Sequence, residues 1–360
     1  MNSRVVLVVT EGLRGVDVLS DIVVGRVDAL RVSGFRGIKD VHGRYIDGFK
    51  GVNVFVGKNN SGKSTLLEAL YLVCTGNRAD VLGRVPLVYV VKRRGWYGIS
   101  SLEGLVYSQF TRAVIDAKSN GRSVRVEIQP QVNTILYRVH DSYRGETIDI
   151  SIRFEENGRY LPIAGVAGVK SSVIFVDWNL MREYGIPEDV YSFLLEAGGE
   201  EAEEYVVKTL SSTYKELRGF KPLKSDNKWV LHAILREYSV PFYLLGDGVR
   251  AAFTYLALLA SVKRGVVLAE EPELHQHTTS LEIIAEALIR SSFEHKNQVF
   301  ISTHSLEFID LLLESAEKHS LKDELVVFRV RLKNGVLYYR RYTFSEALES
   351  RRELEFDLRG

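Results

Sequence analysis

Eight consecutive residues, Gly57-Lys58-Asn59-Asn60-Ser61-Gly62-Lys63-Ser64, satisfy the spacing G-x-x-x-x-G-K-[ST] and suit the grip of a polyphosphate. Gly57 and Gly62 let the backbone wrap closely, so successive N–H groups from Lys58 to Ser61 can turn inward to phosphate oxygens. Lys63 adds a cation for the β- and γ-phosphates and Ser64 a hydroxyl for Mg²⁺. Thr65 continues the first turn of a helix whose positive end faces the anion. Farther along, Val266-Val267-Leu268-Ala269 delivers Glu270 and Glu271 to a strand end. In triphosphate chemistry one such carboxylate holds the metal shell and the other orients or deprotonates water. Glu270 stands on the metal side and Glu271 on the water side. His304 follows the next apolar strand, Ile301-Ser302-Thr303, where an imidazole can donate to a γ-phosphate and sense its loss. Each feature has a plainer reading: a chance Gly-Lys-Ser turn, an idle acidic strand end, a structural histidine. Their order, and the strand before and helix after the loop, favour the chemical one.

These residues need a scaffold that brings strand ends to one edge. Residues 27–56 read as two strands around a turn, Val27–Val32 and Val52–Val56, the second leading into the glycine loop and then into a helical pattern, Leu66 to Val73. Alternation between 122 and 163 predicts an antiparallel layer. An acidic helical stretch covers 187–220, where Glu200, Glu201, Glu203 and Glu204 read as a solvated face. From 265 onward strand and helix alternate: strands at 266–269 and 299–301, helices near 278–292 and 305–318, and a hairpin about Asn334-Gly335. That order implies an α/β fold with a mainly parallel sheet.

Composition sets the outer limits. The 360 residues are 46% hydrophobic and 26% charged, ordinary values for a chain with a sizeable core. Net charge is +1, so no chain-wide basic field marks a nucleic-acid coat protein, although local patches remain open. Cys74 is the only cysteine, which excludes an internal disulfide and a cysteine-based zinc cluster. No apolar run approaches the roughly 20 residues that span a bilayer, so a cytoplasmic location without membrane partners is expected.

Phe35-Arg36-Gly37-Ile38, the glycine loop, Glu270-Glu271-Pro272-Glu273 and Thr303-His304-Ser305 resemble the N-terminal, Walker A, Walker B and switch-histidine motifs of ABC-type ATPase heads of the SMC, RecF and OLD group. Leu245-Gly246-Asp247-Gly248-Val249-Arg250 stands where that group has its signature motif. The resemblance implies a P-loop NTPase with ABC-head architecture, including an antiparallel β subdomain and a helical signature subdomain. It implies ATP and Mg²⁺ as cofactors, with Arg36 beside the nucleotide and Ser64 and Glu270 on the metal. Glu271 and His304 become catalytic. Gly246, Asp247, Gly248 and Arg250 would cap the ATP of a second copy, in a head-to-head dimer that handles DNA with a partner nuclease or repair protein. Gly246 replaces the signature serine, so backbone contacts or Arg250 must substitute. Gln109 is the Q-loop candidate, and Glu273 to His277 would line the dimer interface rather than bind metal through His275 and His277.

The resemblance divides the chain into an accessory strand and turn (1–26), a head (27–345) and a tail (346–360). Within the head, 27–120 carries Walker A, 121–165 the β layer, 166–262 the helical lobe and 263–345 Walker B and the switch histidine. The segment between the Walker motifs is too short for an SMC-like arm. A TOPRIM nuclease domain is not expected, since no Asp-x-Asp pair completes the faint match at 6–17. Lys92-Arg93-Arg94 and Arg340-Arg341 are basic clusters, read as solvated loops or as grips on nucleic acid. Rival functions are an ABC transporter ATPase subunit and a nucleotide-dependent scaffold without turnover.

Overall fold

The computed structural model describes residues 23–108, 110–164, 167–183, 185–225 and 227–352. The strands are β1 (Ala29–Ser33), β2 (Ile46–Asp47), β3 (Val52–Val56), β4 (Arg78–Ala79), β5 (Ala113–Ser119), β6 (Arg122–Pro130), β7 (Thr134–Asp141), β8 (Glu146–Phe154), β9 (Tyr160–Ala164), β10 (Ala167–Lys170), β11 (Val173–Val176), β12 (Leu217–Ser225), β13 (Lys228–Leu235), β14 (Ser239–Pro241), β15 (Val266–Glu270), β16 (Gln298–Thr303), β17 (Leu325–Lys333) and β18 (Val336–Thr343). The helices are α1 (Lys63–Thr75), α2 (Pro86–Lys92), α3 (Ser100–Glu103), α4 (Trp178–Arg182), α5 (Ile186–Phe193), α6 (Gly199–Thr213), α7 (Asp247–Ser261), α8 (Thr278–Glu294), α9 (Leu306–Lys318) and α10 (Phe344–Arg352).

Strand β3 sits inside a six-stranded sheet of order β11-β15-β16-β3-β17-β18, parallel except for β18 at its edge. All five of its residues are buried, as a strand covered on both faces must be. Its side chains alternate between two cores: Val52, Val54 and Val56 meet the helices around α7, α8 and α9, while Phe55 joins Phe49, Phe300 and Phe328 on the opposite face. On that second face lies α1, buried along its length except at Ser64. A helix apolar all round needs cover on all sides. The seven-stranded antiparallel sheet β2-β1-β5-β6-β7-β8-β9 provides it from above, through Val124, Val126, Ile135, Val139 and Ile150. The Tyr137 hydroxyl pins that sheet by donating to the Leu72 carbonyl at 2.9 Å.

The fold is the expected α/β P-loop architecture, and several elements differ from the sequence reading. Strands β1 and β3 do not pair around a turn; β1 joins β2 and β5 in the antiparallel sheet. The acidic helical stretch stops at Thr213 and gives way to a three-stranded sheet, β12-β13-β14. Pro222 and the exposed residues from Lys221 to Ser225 hide the strand signal of β12. Part of the supposed tail is helical, as α10. Residues 1–22, most of the accessory segment, and Gln109 lie outside the described residues. No helix among the described residues is long and apolar enough to cross a membrane.

Phe300 is fully buried and edges Phe49 with ring centroids 5.1 Å apart. Phe300→Ala should destabilise the chain by about 3–5 kcal/mol through lost burial and a residual cavity, read as a lower midpoint in chemical denaturation.

Candidate functional site

The loop after β3 is shaped by two glycines. Gly57 has φ 153°, and a Cβ there would stand 2.4 Å from the Val330 carbonyl of β17. Gly62 has φ 97°, and its Cβ would stand 2.7 Å from Leu337 Cδ1. Only glycine permits both the close approach and the dihedral. Between them Lys58, Asn59 and Asn60 are exposed, and Ser61 is buried with no hydrogen-bond partner for its hydroxyl among the described residues. Gly62 caps α1 without a side-chain hydrogen bond, so the first N–H groups of the helix keep their capacity for an anion. The Lys63 ammonium donates to the Gly57 carbonyl at 2.9 Å and to Lys58 at 3.1 Å. Burial lowers its pKa to about 8, against the opposing pull of Glu271 and Glu273. Both carboxylates therefore lie near enough to act on the Lys63 charge. Ser64 is half-buried on the first turn of α1, and Thr65 beside it is buried.

Glu270 ends β15, two strands away from β3, and Glu271 follows it directly. Glu271 takes a left-handed backbone, φ 45°, while its N–H donates to the Ser302 carbonyl at 2.8 Å. Its Oε1 lies 3.2 Å from His304 Nε2, so Glu271 and His304 meet across adjacent strand ends, each about a third exposed. Glu273 does not line a free surface. Its Oε1 accepts from the Thr303 hydroxyl at 2.7 Å and from the N–H groups of His304 at 2.8 Å and Ser305 at 3.2 Å, fixing the turn that carries the histidine. His275 lies tilted against Trp178 with ring centroids 4.5 Å apart, and no group of three metal-ligating side chains exists among the described residues.

Arg36 and Arg93 depart most from the sequence reading. Arg36, expected beside the nucleotide, is taken up inside the fold: its guanidinium pairs with Glu68 on α1 and donates to the Val90 carbonyl. Arg93, taken as part of a solvated basic loop, is buried at the end of α2. It pairs with Glu68 at 2.6 Å, with Asp177 at 2.8 Å and with Glu270. Burial would push Glu68 up, yet Arg36, Arg93 and Arg94 hold it below the usual carboxylate range. Asp177 is likewise lowered against burial, chiefly by Arg93. Arg94 also pairs with Glu68 at 2.8 Å, and Lys92 lies over the Tyr160 ring. Glu68, Arg93 and Asp177 escaped sequence reasoning because they come from segments far apart in the chain. The available signal was weak: a glutamate, Glu68, inside an otherwise apolar helix pattern.

The signature turn heads α7, with Gly246 at the cap and Asp247 in the first turn. Gly248 faces the start of α8, where an added Cβ would stand 3.1 Å from Ser280 Oγ. Arg250 does not project outward: its guanidinium reaches Asp247 at 3.2 Å and the Met181 carbonyl at 2.8 Å. Its side chain folds back because Asp247 and the end of α4 offer acceptors within reach. For a divalent cation, Ser64 offers a hydroxyl and Glu270 a carboxylate that is 13% exposed and now held by a cation. Such hard oxygen donors suit Mg²⁺, which takes few protein ligands and completes its shell with phosphate and water.

Two family models match the chain, an AAA domain over residues 29–160 and an AAA ATPase domain over 194–309. The chain is similar to uncharacterized protein MJECL11 of Methanocaldococcus jannaschii, at 36% identity over 32% of this chain and 100% of that protein. It is similar to an ATP/GTP phosphatase of Helicobacter pylori, at 22% identity over 93% of this chain and 100% of the relative. Among solved structures it resembles an SmcHead bound to the C-winged helix domain of ScpA, with TM-score 0.51, 16% identity and coverage of 90% and 99% of the two chains. A second, from Pyrococcus furiosus, is an Smc head domain with an extended coiled coil bound to the C-terminal domain of ScpA, with TM-score 0.50, 14% identity and coverage of 91% and 99%. With the glycine loop and the Glu271–His304 pair set together, the chain carries AAA-type ATPase domains on the fold of an Smc head, the architecture of a P-loop ATPase.

Proposed function

We propose that the chain is a Mg²⁺-dependent ATPase that closes head-to-head on ATP and opens after hydrolysis, coupling that cycle to a partner. The pairing of Glu271 with His304, within electrostatic reach of Lys63, carries the reading. The glycine loop and Lys63 bind the β- and γ-phosphates, and Ser64 and Glu270 would hold the metal. The metal, when bound, neutralises phosphate charge. Glu271 accepts a proton from the attacking water as the bond from the γ-phosphorus to the bridging oxygen breaks, and His304 orients the departing phosphate. Gly246, Asp247 and Gly248 present backbone N–H groups at the head of α7 to the γ-phosphate of a second copy. The phosphatase relative supports turnover rather than a silent scaffold, and GTP is a reasonable second substrate to assay. Both solved heads are bound to a domain of ScpA, which supports a protein partner here as well.

DNA handling is the second part of the proposal, and one surface favours it. Register places Arg329 opposite Arg340 and Arg331 opposite Tyr338, so Arg329, Arg331, Lys333, Arg340 and Tyr338 share one face of the β17–β18 hairpin. Arg341 points to the other face, over Gly48. With Arg93 buried, this stripe replaces the two sequence clusters as the phosphate-binding surface.

Glu271→Gln should bind ATP with Mg²⁺ yet turn over at least about 100-fold more slowly, since the amide cannot accept the proton. In light scattering this variant should double in mass on adding ATP; an unchanged monomer counts against shared sites. Lys63 titrates near pH 8, and phosphate binds the ammonium form. ATP affinity should therefore hold below pH 8 and fall as pH rises, about tenfold by pH 9. A fluorescence titration against pH checks it, with Lys63→Ala weak throughout. Reversing charge at Arg331, Lys333 and Arg340 together should abolish salt-sensitive binding of labelled duplex while leaving the ATPase rate unchanged.

A further inference from the structure

Arg93 is placed where a carboxylate must change partners. Of its three acidic neighbours Glu68 and Asp177 are buried to within 2%, whereas Glu270 is 13% exposed at the strand end that faces the phosphate loop. Glu68 also holds Arg36 and Arg94, and Asp177 also accepts from the Tyr89 hydroxyl at 2.5 Å and the Leu180 N–H at 2.9 Å. Glu270 is thus the neighbour that can leave without stranding a buried charge. We infer that Arg93 is a positioning residue: it holds Glu270 before nucleotide arrives, yields that carboxylate to the metal of Mg·ATP, and passes the exchange through Asp177 to the signature turn.

The route outward is continuous. Asp177 caps α4 through the Leu180 N–H, and the Asn179 side-chain amide donates to the Arg93 carbonyl at 2.7 Å. One residue beyond Leu180, the Met181 carbonyl receives Arg250, which pairs in turn with Asp247 at the head of α7. When Glu270 departs, Arg93 keeps Glu68 and Asp177 as anions, and the force it exerts on Asp177 changes. The helix Asp177 caps is the one Arg250 grips. Arg250 therefore belongs to the signal that sets the signature turn, which accounts for its folding back onto its own chain.

The inference rests on the Mg·ATP reading, and the experiment separates the two. A fluorescent ATP analogue is titrated into wild type, Arg93→Gln and Arg93→Gln/Glu270→Gln, each in Mg²⁺ and in EDTA. Failure of wild type to bind in either buffer sinks the nucleotide reading itself. With Glu270 released from a charge-assisted hydrogen bond, the ratio of affinity in Mg²⁺ to affinity in EDTA should rise about tenfold in Arg93→Gln. Affinity in EDTA should stay unchanged, and the gain should vanish in the double variant. Equal losses in both buffers, with the wild-type ratio, mark a purely structural role and overturn the inference. Should Arg93→Gln not fold, Arg93→Lys keeps the buried charge without the fork, and an unchanged ratio there overturns it as well. For the outward route, Trp96→Phe and Trp229→Phe leave Trp178 on α4 as the sole indole. Its emission should shift on adding Mg·ATP and fail to shift once Arg93→Gln is introduced. A shift that survives Arg93→Gln overturns the relay.

Discussion

A guanidinium buried among three carboxylates is the constraint on which the site depends. Arg93 takes Glu68 from α1, Asp177 from the end of β11 and Glu270 from the end of β15, so one planar fork fixes three elements that the chain brings from far apart. Removing Arg93 would leave Glu68 and Asp177 as buried, undercompensated charges, at a cost of about 3–5 kcal/mol. The arrangement therefore forms when the phosphate-loop helix and the acidic strand are correctly docked. A second buried network works farther along α1. There Asp80 accepts from the Tyr71 hydroxyl at 2.8 Å and pairs with Arg84, whose guanidinium donates to the Phe175 carbonyl. Two ionic anchors thus set the rotation of a helix whose apolar surface alone would tolerate several.

That rotation matters because α1 lies between two sheets. The parallel sheet presents Phe55, Phe300 and Phe328 to it, and the antiparallel sheet presents Val126, Ile135 and Ile150. Hydrophobic burial supplies most of the attraction but specifies little about angle, since it is non-directional. The buried ion pairs and the Tyr137 hydroxyl on the Leu72 carbonyl supply the direction. Hence the first turn of α1, with Lys63 and Ser64, keeps a fixed attitude toward Glu270 and Glu271.

The local placement of the motifs was legible in the sequence. The glycine loop, β15 with its two glutamates and β16 with its histidine can be read because each motif lies within a few residues and each strand is a short apolar run. The hairpin about Asn334-Gly335 was legible for the same reason. What resisted reading were pairings between distant segments. Nothing near Arg93 distinguishes a buried guanidinium from its exposed neighbours, and nothing near Val27–Val32 shows that β1 pairs with β5 rather than with β3. The three strands after α6 were hidden because their exposed lysines and Pro222 interrupt alternation. Register separates Arg340 from Arg341, which adjacency in sequence had joined.

The backbone of Glu271 shows how the site is held ready. A non-glycine residue at φ 45° costs about 1–3 kcal/mol and persists only where neighbours over-determine it. Here they do. The Glu271 N–H is held by Ser302, its carbonyl accepts from the Leu274 N–H at 3.0 Å, and Glu273 gathers three donors from the turn bearing His304. An extended Glu271 would continue the β15 ladder and carry its carboxylate away from His304. The left-handed turn instead directs it toward the histidine, so the geometry is set during folding. The strain at this residue thus presets a carboxylate and an imidazole within 3.2 Å of each other, which is the condition the proposed chemistry requires.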